Sequence, residues 1–151
     1  MTVERTAEAA PPRARAHRQG QGPVLGVVAL GGVLGAWARY GAGLLWPTAA
    51  GAFPWTTLLV NVVGCAVIGF FLVAVTEVWA PHPLLRPFFG TGVLGGFTTF
   101  STYVLDAHGL VERGEAVKGL GYLAGTLVAA LGAVWLSASL TRWAFGRRTA
   151  R

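Results

Sequence analysis

Cysteine occurs once, at Cys65, so no internal disulfide can form, and no companion stands at metal-ligand spacing. Three histidines, His17, His82 and His108, fall in tails or loops without the spacing of a zinc site. Charge is scarce as well. Only 12% of the 151 residues are charged, with six acidic residues against twelve Lys and Arg. A soluble domain carries about 25%, so an ordinary soluble fold is excluded. Neither a P-loop nor a Rossmann glycine signature is present, which leaves no sign of nucleotide-driven transport. No nucleophile–base set can be assembled from the apolar segments, and an enzyme is not expected. The basic residues cluster at the two ends, with no soluble basic fold to hold nucleic acid.

What is abundant is apolar sequence, at 54%. It falls into four runs, 23–46, 56–79, 87–107 and 118–143, each near the roughly 20 residues that a transmembrane helix needs. An all-α membrane protein with four spans follows. Residues 1–22 form a polar, Arg-bearing tail expected to be disordered and cytoplasmic. Residues 144–151 form a second basic tail. Lys and Arg gather in the tails and in the loop before 87, while the first loop has none. The positive-inside rule places both termini in the cytoplasm of a multi-pass cell-membrane protein. A chain this short could hardly enclose a pore alone, so an oligomer is expected.

The stretch Gly90-Thr91-Gly92-Val93-Leu94-Gly95-Gly96-Phe97-Thr98-Thr99-Phe100-Ser101-Thr102-Tyr103 is unlike an ordinary span. Each Gly weakens a helix by about 1 kcal/mol relative to Ala. Hydroxyls and aromatics then alternate. A helix broken at membrane depth is tolerated only where its backbone lines a cavity or binds something, so the stretch reads as a broken helix at an ion pathway. Asn61 is the one strongly polar residue inside the second run and needs a hydrogen-bond partner or a ligand. Helix–helix bonding accounts for it as readily as a pathway does. Arg39, late in the first run, fits two readings: a structural or snorkelling charge, or the wall of an aqueous vestibule that draws in anions. Tyr122 and Thr126 share one helical face.

Together these segments resemble the CrcB/Fluc family of fluoride ion channels. The likeness rests on Gly31-Gly32-Val33-Leu34-Gly35-Ala36-Trp37-Ala38-Arg39-Tyr40, on Thr57-Leu58-Leu59-Val60-Asn61-Val62-Val63-Gly64, and on Gly95-Gly96-Phe97-Thr98-Thr99-Phe100-Ser101-Thr102-Tyr103, in that order. It covers all four spans and excludes the tails. The resemblance implies an antiparallel, dual-topology dimer whose third helix is broken, with two fluoride pathways. It implies a structural sodium ion, not transported, held by the backbone carbonyls of Gly95 and Thr98. Asn61, Phe100 and Tyr103, the hydroxyls of Thr99 and Ser101, and Tyr122 and Thr126 are the implied fluoride pathway, with Arg39 at its vestibule. Tyr103 stands where the family usually has Phe. Ala130 replaces the next hydroxyl of the fourth-span track.

The function implied is passive fluoride export that lowers cytoplasmic toxicity. The strong charge bias raises an alternative to a homodimer: pairing with an oppositely oriented relative in a heterodimeric channel. A small four-span multidrug exporter would want a carboxylate in the first span, and none is there. A non-transporting assembly subunit would explain the glycine faces but not the clustering of Asn61, Phe100 and the hydroxyls. If the charge bias fixes insertion, tags on both termini of the chain expressed alone will be reached from the cytoplasmic side only. Labelling from both sides would remove that reading.

Overall fold

The computed structural model describes residues 21–78 and 82–149. The expected disordered tail therefore lies outside the described residues up to position 20, as do 79–81 and 150–151. The described residues are helical, without a strand. Helix α1 is Gln21–Leu45 and α2 is Trp55–Val73, which a π-helical turn, Ala74–Val78, prolongs. A second π-helical segment, Pro87–Leu94, leads into the short turn α3, Gly95–Phe97. After a break, α4 is Ser101–Glu112 and α5 is Ala116–Thr149. Among the described residues three helices are long and apolar enough to cross a membrane: Gln21–Leu45, Trp55–Glu77 and Ala116–Gly146. The remaining helical segment, from Pro87 to Glu112, is interrupted at Thr98–Phe100.

Three details go beyond the sequence reading. The glycine-rich run widens into a π-helix, and the break falls after it, at Thr98–Phe100. Helix α5 also continues through most of the segment expected to be a tail. Helix α4 likewise runs on to Glu112, past residue 107.

Glycine explains how the pieces meet. A Cβ on Gly31 would run into the Phe88 carbonyl oxygen and the Val93 nitrogen. One on Gly35 would strike the Val93 carbonyl, and one on Gly96 the backbone of Gly32. So α1 lies backbone to backbone along the π-helical segment and α3, running in the same direction. In lipid, where apolar side chains gain little by leaving the solvent, such close approach is a principal source of association. Helices α2 and α5 pair similarly. Gly69 meets the Val134 carbonyl, and the Ser137 hydroxyl donates to the Ala66 carbonyl at 2.6 Å. Near one end of the bundle, Arg142 Nε bonds Glu77 Oε1 at 2.8 Å. At the other, Lys118 donates to the Gly51 carbonyl at 3.1 Å and pairs with Glu115.

These contacts make unequal demands on individual glycines. Gly35→Ala should destabilise the protein by about 1–3 kcal/mol, the usual range for overpacking. Gly26→Ala, where an added Cβ meets nothing within 4 Å, should be neutral or slightly stabilising. Melting temperatures in detergent compare the two, and equal values would refute the close-packed seam.

Candidate ion pathway

The break at Thr98–Phe100 is stitched by side chains from other helices. Asn61 projects from α2 and is about nine-tenths buried. Its Nδ2 donates to the Thr99 carbonyl at 2.9 Å, and its Oδ1 accepts from the Thr99 N–H at 2.8 Å. One amide side chain thus satisfies both backbone groups of the residue at the break. Arg39 Nε donates to the Gly96 carbonyl at 3.2 Å. The Thr99 hydroxyl accepts from Thr102 N–H at 3.1 Å and so opens α4 as a capping residue does. Thr98 remains tied to the upstream turn, with both its N–H and its hydroxyl donating to the Leu94 carbonyl.

The rerouting has a consequence for the carbonyls. In a continued α-helix the Thr99 N–H would bond the Gly95 carbonyl. Here it goes to Asn61, so the Gly95 carbonyl is released from the helical ladder. Thr98, at ψ 156°, is extended, which turns its own carbonyl away from the helical direction. Gly95 is exposed, and an added Cβ there would meet nothing within 4 Å. Two backbone oxygens near an open surface suit a hard cation such as sodium, which takes oxygen ligands. Among the described residues no group of three or more His, Cys, Asp or Glu could hold a metal instead.

Two cavities meet at Thr99. The first, about 460 Å³, is lined by Arg39, Thr56, Thr57 and Thr102 among others. Arg39 thus bonds the backbone and also lines this cavity. The second, about 340 Å³, gathers Asn61, Thr98, Phe100, Tyr103 and Thr126 with Cys65 and Ala130. Thr126 is 3% exposed, and its hydroxyl has no hydrogen-bond partner. Phe100, by contrast, is 77% exposed, so its ring stands at the open rim. The rings of Phe100 and Tyr103 lie 5.7 Å apart, and those of Tyr103 and Tyr122 5.4 Å. Ser101 is exposed, with its hydroxyl 3.4 Å from that of Thr99. Tyr122 is fully buried under Phe53 and does not line this cavity. Every other residue expected on the pathway lies on or beside the break.

Residues 26–138 match the family described as "CrcB-like protein, Camphor Resistance (CrcB)". The chain belongs to the CrcB family. Among its relatives, "Fluoride-specific ion channel FluC 1" of Streptomyces coelicolor is 60% identical over 94% of this chain and 95% of its own length. "Fluoride-specific ion channel FluC 2" of Streptomyces avermitilis is 64% identical over 78% of this chain and 75% of its own. "Fluoride-specific ion channel FluC" of Acidithiobacillus ferrooxidans is 48% identical over 75% of this chain and 91% of its own.

In this CrcB-family chain two further features belong to the site. Asp106, a carboxylate within the broken pass, accepts the Thr57 hydroxyl at 2.6 Å and lies beside the Tyr122 phenol. Sequence reading passed over it, although a lone acid in an apolar span is itself a functional signal. The Tyr103 hydroxyl donates to the Leu123 carbonyl at 2.7 Å, so its proton is committed to α5. The tyrosine that departs from the family pattern thus ties α4 to α5.

Hydrogen-bond energies rank the two ties. Asn61→Leu leaves the Thr99 N–H and carbonyl unpaired and should cost about 2–4 kcal/mol, whereas Tyr103→Phe removes a single bond worth about 1 kcal/mol. Unfolding of the purified proteins in detergent tests this order, and a Tyr103→Phe loss as large as that of Asn61→Leu would overturn it.

Proposed function

We propose that this chain is a subunit of a fluoride-specific ion channel of the cell membrane. The observation that carries the reading is its 60% identity, over nearly its whole length, to a protein bearing that name. The cavity at the break supports it. Fluoride is small and strongly hydrated, so a passage must replace lost water with donors. Thr126 offers a buried hydroxyl with no protein partner. Asn61 Nδ2 has a second proton beyond the one spent on Thr99. Phe100 offers a ring edge, which carries partial positive charge. Arg39 adds positive potential on the other side of Thr99. Tyr103 contributes its ring rather than its hydroxyl proton.

The path crosses the membrane as four passes, the broken one supplying its centre. Its open rim at Phe100 is closed by a second, antiparallel copy or by an oppositely oriented relative. The Gly95 and Thr98 carbonyls would hold a structural sodium ion. Bound there, the cation supplies positive charge beside the passage, while Asn61 keeps the Thr99 amide from reclaiming the Gly95 carbonyl. Transport is passive. An inside-negative potential favours anion exit by about 2.3 kcal/mol per charge per 100 mV. Export would thus lower cytoplasmic fluoride. The chain moves an ion and does not catalyse a reaction.

Fluoride efflux from liposomes, with chloride as the control ion, tests the proposal. The chain alone, or with an oppositely oriented relative, should pass fluoride and not chloride. Phe100→Ile should abolish the flux. Thr126→Val keeps the shape but removes a hydroxyl that would donate to an anion, and should slow flux about ten-fold or more. Dimer elution should be unchanged in both. Wild-type rates in both variants would show that the anion goes elsewhere, and no fluoride flux from any combination would sink the channel reading.

A further inference from the structure

One groove contains none of the polar residues of this pathway, although Ile68 lines both it and the second cavity. It encloses about 370 Å³ between the end of α2 and the π-helical segment Pro87–Leu94. Each wall is π-helical in part, at Val75 and Thr76 on one side and at Gly90, Thr91 and Leu94 on the other. π-Helical turns are rare and gather at functional sites. Its floor is apolar, with buried Phe71 and Leu94, while half-exposed Leu72 and exposed Arg86 and Thr91 stand on its lining. Arg86 donates through Nη2 to the Val75 carbonyl, which fixes the guanidinium over the groove. Among the described residues no carboxylate pairs with Arg86. Glu77, the acid at this end of the bundle, is engaged by Arg142 at 2.8 Å. A held guanidinium, a hydroxyl and an apolar trough therefore meet near the end of α2, with the Arg86 charge not paired to a carboxylate among the described residues.

We propose that this groove binds an anionic phospholipid, its phosphate on Arg86 and Thr91 and an acyl chain along Phe71, Leu72 and Leu94. A guanidinium presents a fork of donors that matches phosphate oxygens. Basic pockets between transmembrane helices take lipid headgroups in this way. The apolar wall distinguishes a lipid from a free anion, which would have no use for it. The site is independent of the ion that the chain carries.

The test uses the full-length chain purified in detergent. Lipid retention is read by native mass spectrometry after adding phosphatidylglycerol or phosphatidylcholine of the same acyl composition, and melting temperature is followed with each lipid and with inorganic phosphate. Phosphatidylglycerol should be retained in preference to phosphatidylcholine and should raise the melting temperature. Phosphate alone should not raise it. Arg86→Gln should weaken phosphatidylglycerol binding about five-fold, the scale of one cation near the surface. Arg113→Gln, at the opposite end, should leave it unchanged. Leu72→Trp fills the trough while keeping Arg86 and should also reduce retention, so it decides the matter if Arg86→Gln does not fold. The proposal is overturned by equal retention of the two lipids, by equal losses in the Arg86 and Arg113 variants, by full retention in Leu72→Trp, or by protection from phosphate alone.

Discussion

The pair of hydrogen bonds between Asn61 and Thr99 is the constraint on which the molecule turns. A transmembrane helix keeps its backbone groups bonded because lipid offers no replacement, and each unsatisfied group costs several kcal/mol. The chain nevertheless leaves the helix at Thr98–Phe100. It can do so because an amide side chain copies the peptide group, offering one donor and one acceptor in one plane. Arg39 and the Thr99 hydroxyl meet the needs of the flanking turns. The break is therefore held by side chains at Thr99 and left open only at the Gly95 and Thr98 carbonyls, which is why it can sit between two cavities without collapsing into either.

Glycine brings the partners of this arrangement within reach. Gly64, one turn below Asn61, leaves room for the Thr98 methyl and the Phe97 ring. Gly31 and Gly35 let the π-helical segment and α3 lie against α1. The same closeness carries the Arg39 side chain to the Gly96 carbonyl. Removing side chains at the seam thus does two things at once. It supplies the van der Waals contact that joins helices in lipid, and it sets the distances over which two polar side chains can reach a backbone.

Much of this was written plainly in the chain, and some of it was not. The apolar runs, the interruption before Phe100 and the need of Asn61 for a partner all follow from composition and local pattern. The partner itself lies 38 residues away, and periodicity carries no information about so distant a pairing. The widening of Pro87–Leu94 was hidden for a related reason. Glycine content predicts a weak helix, but what the weakened helix does depends on the backbone of α1 pressed against it. The role of the Tyr103 hydroxyl was equally out of reach, because its acceptor is a main-chain oxygen of another helix. Asp106 is different: it was visible as a charge in an apolar run and needed only to be asked about.

The π-helical segment also bears on how such a chain can change its length. A helix with i→i+5 bonds holds one more residue per closed turn than its α counterpart. Losing one residue there would return the turn to α geometry while both flanks kept their faces. In a regular α-helix the same loss would rotate everything downstream by about 100°. Between Pro87 and Leu94 the chain therefore has a length reserve, a place where a single-codon deletion is absorbed before it reaches the bonded break.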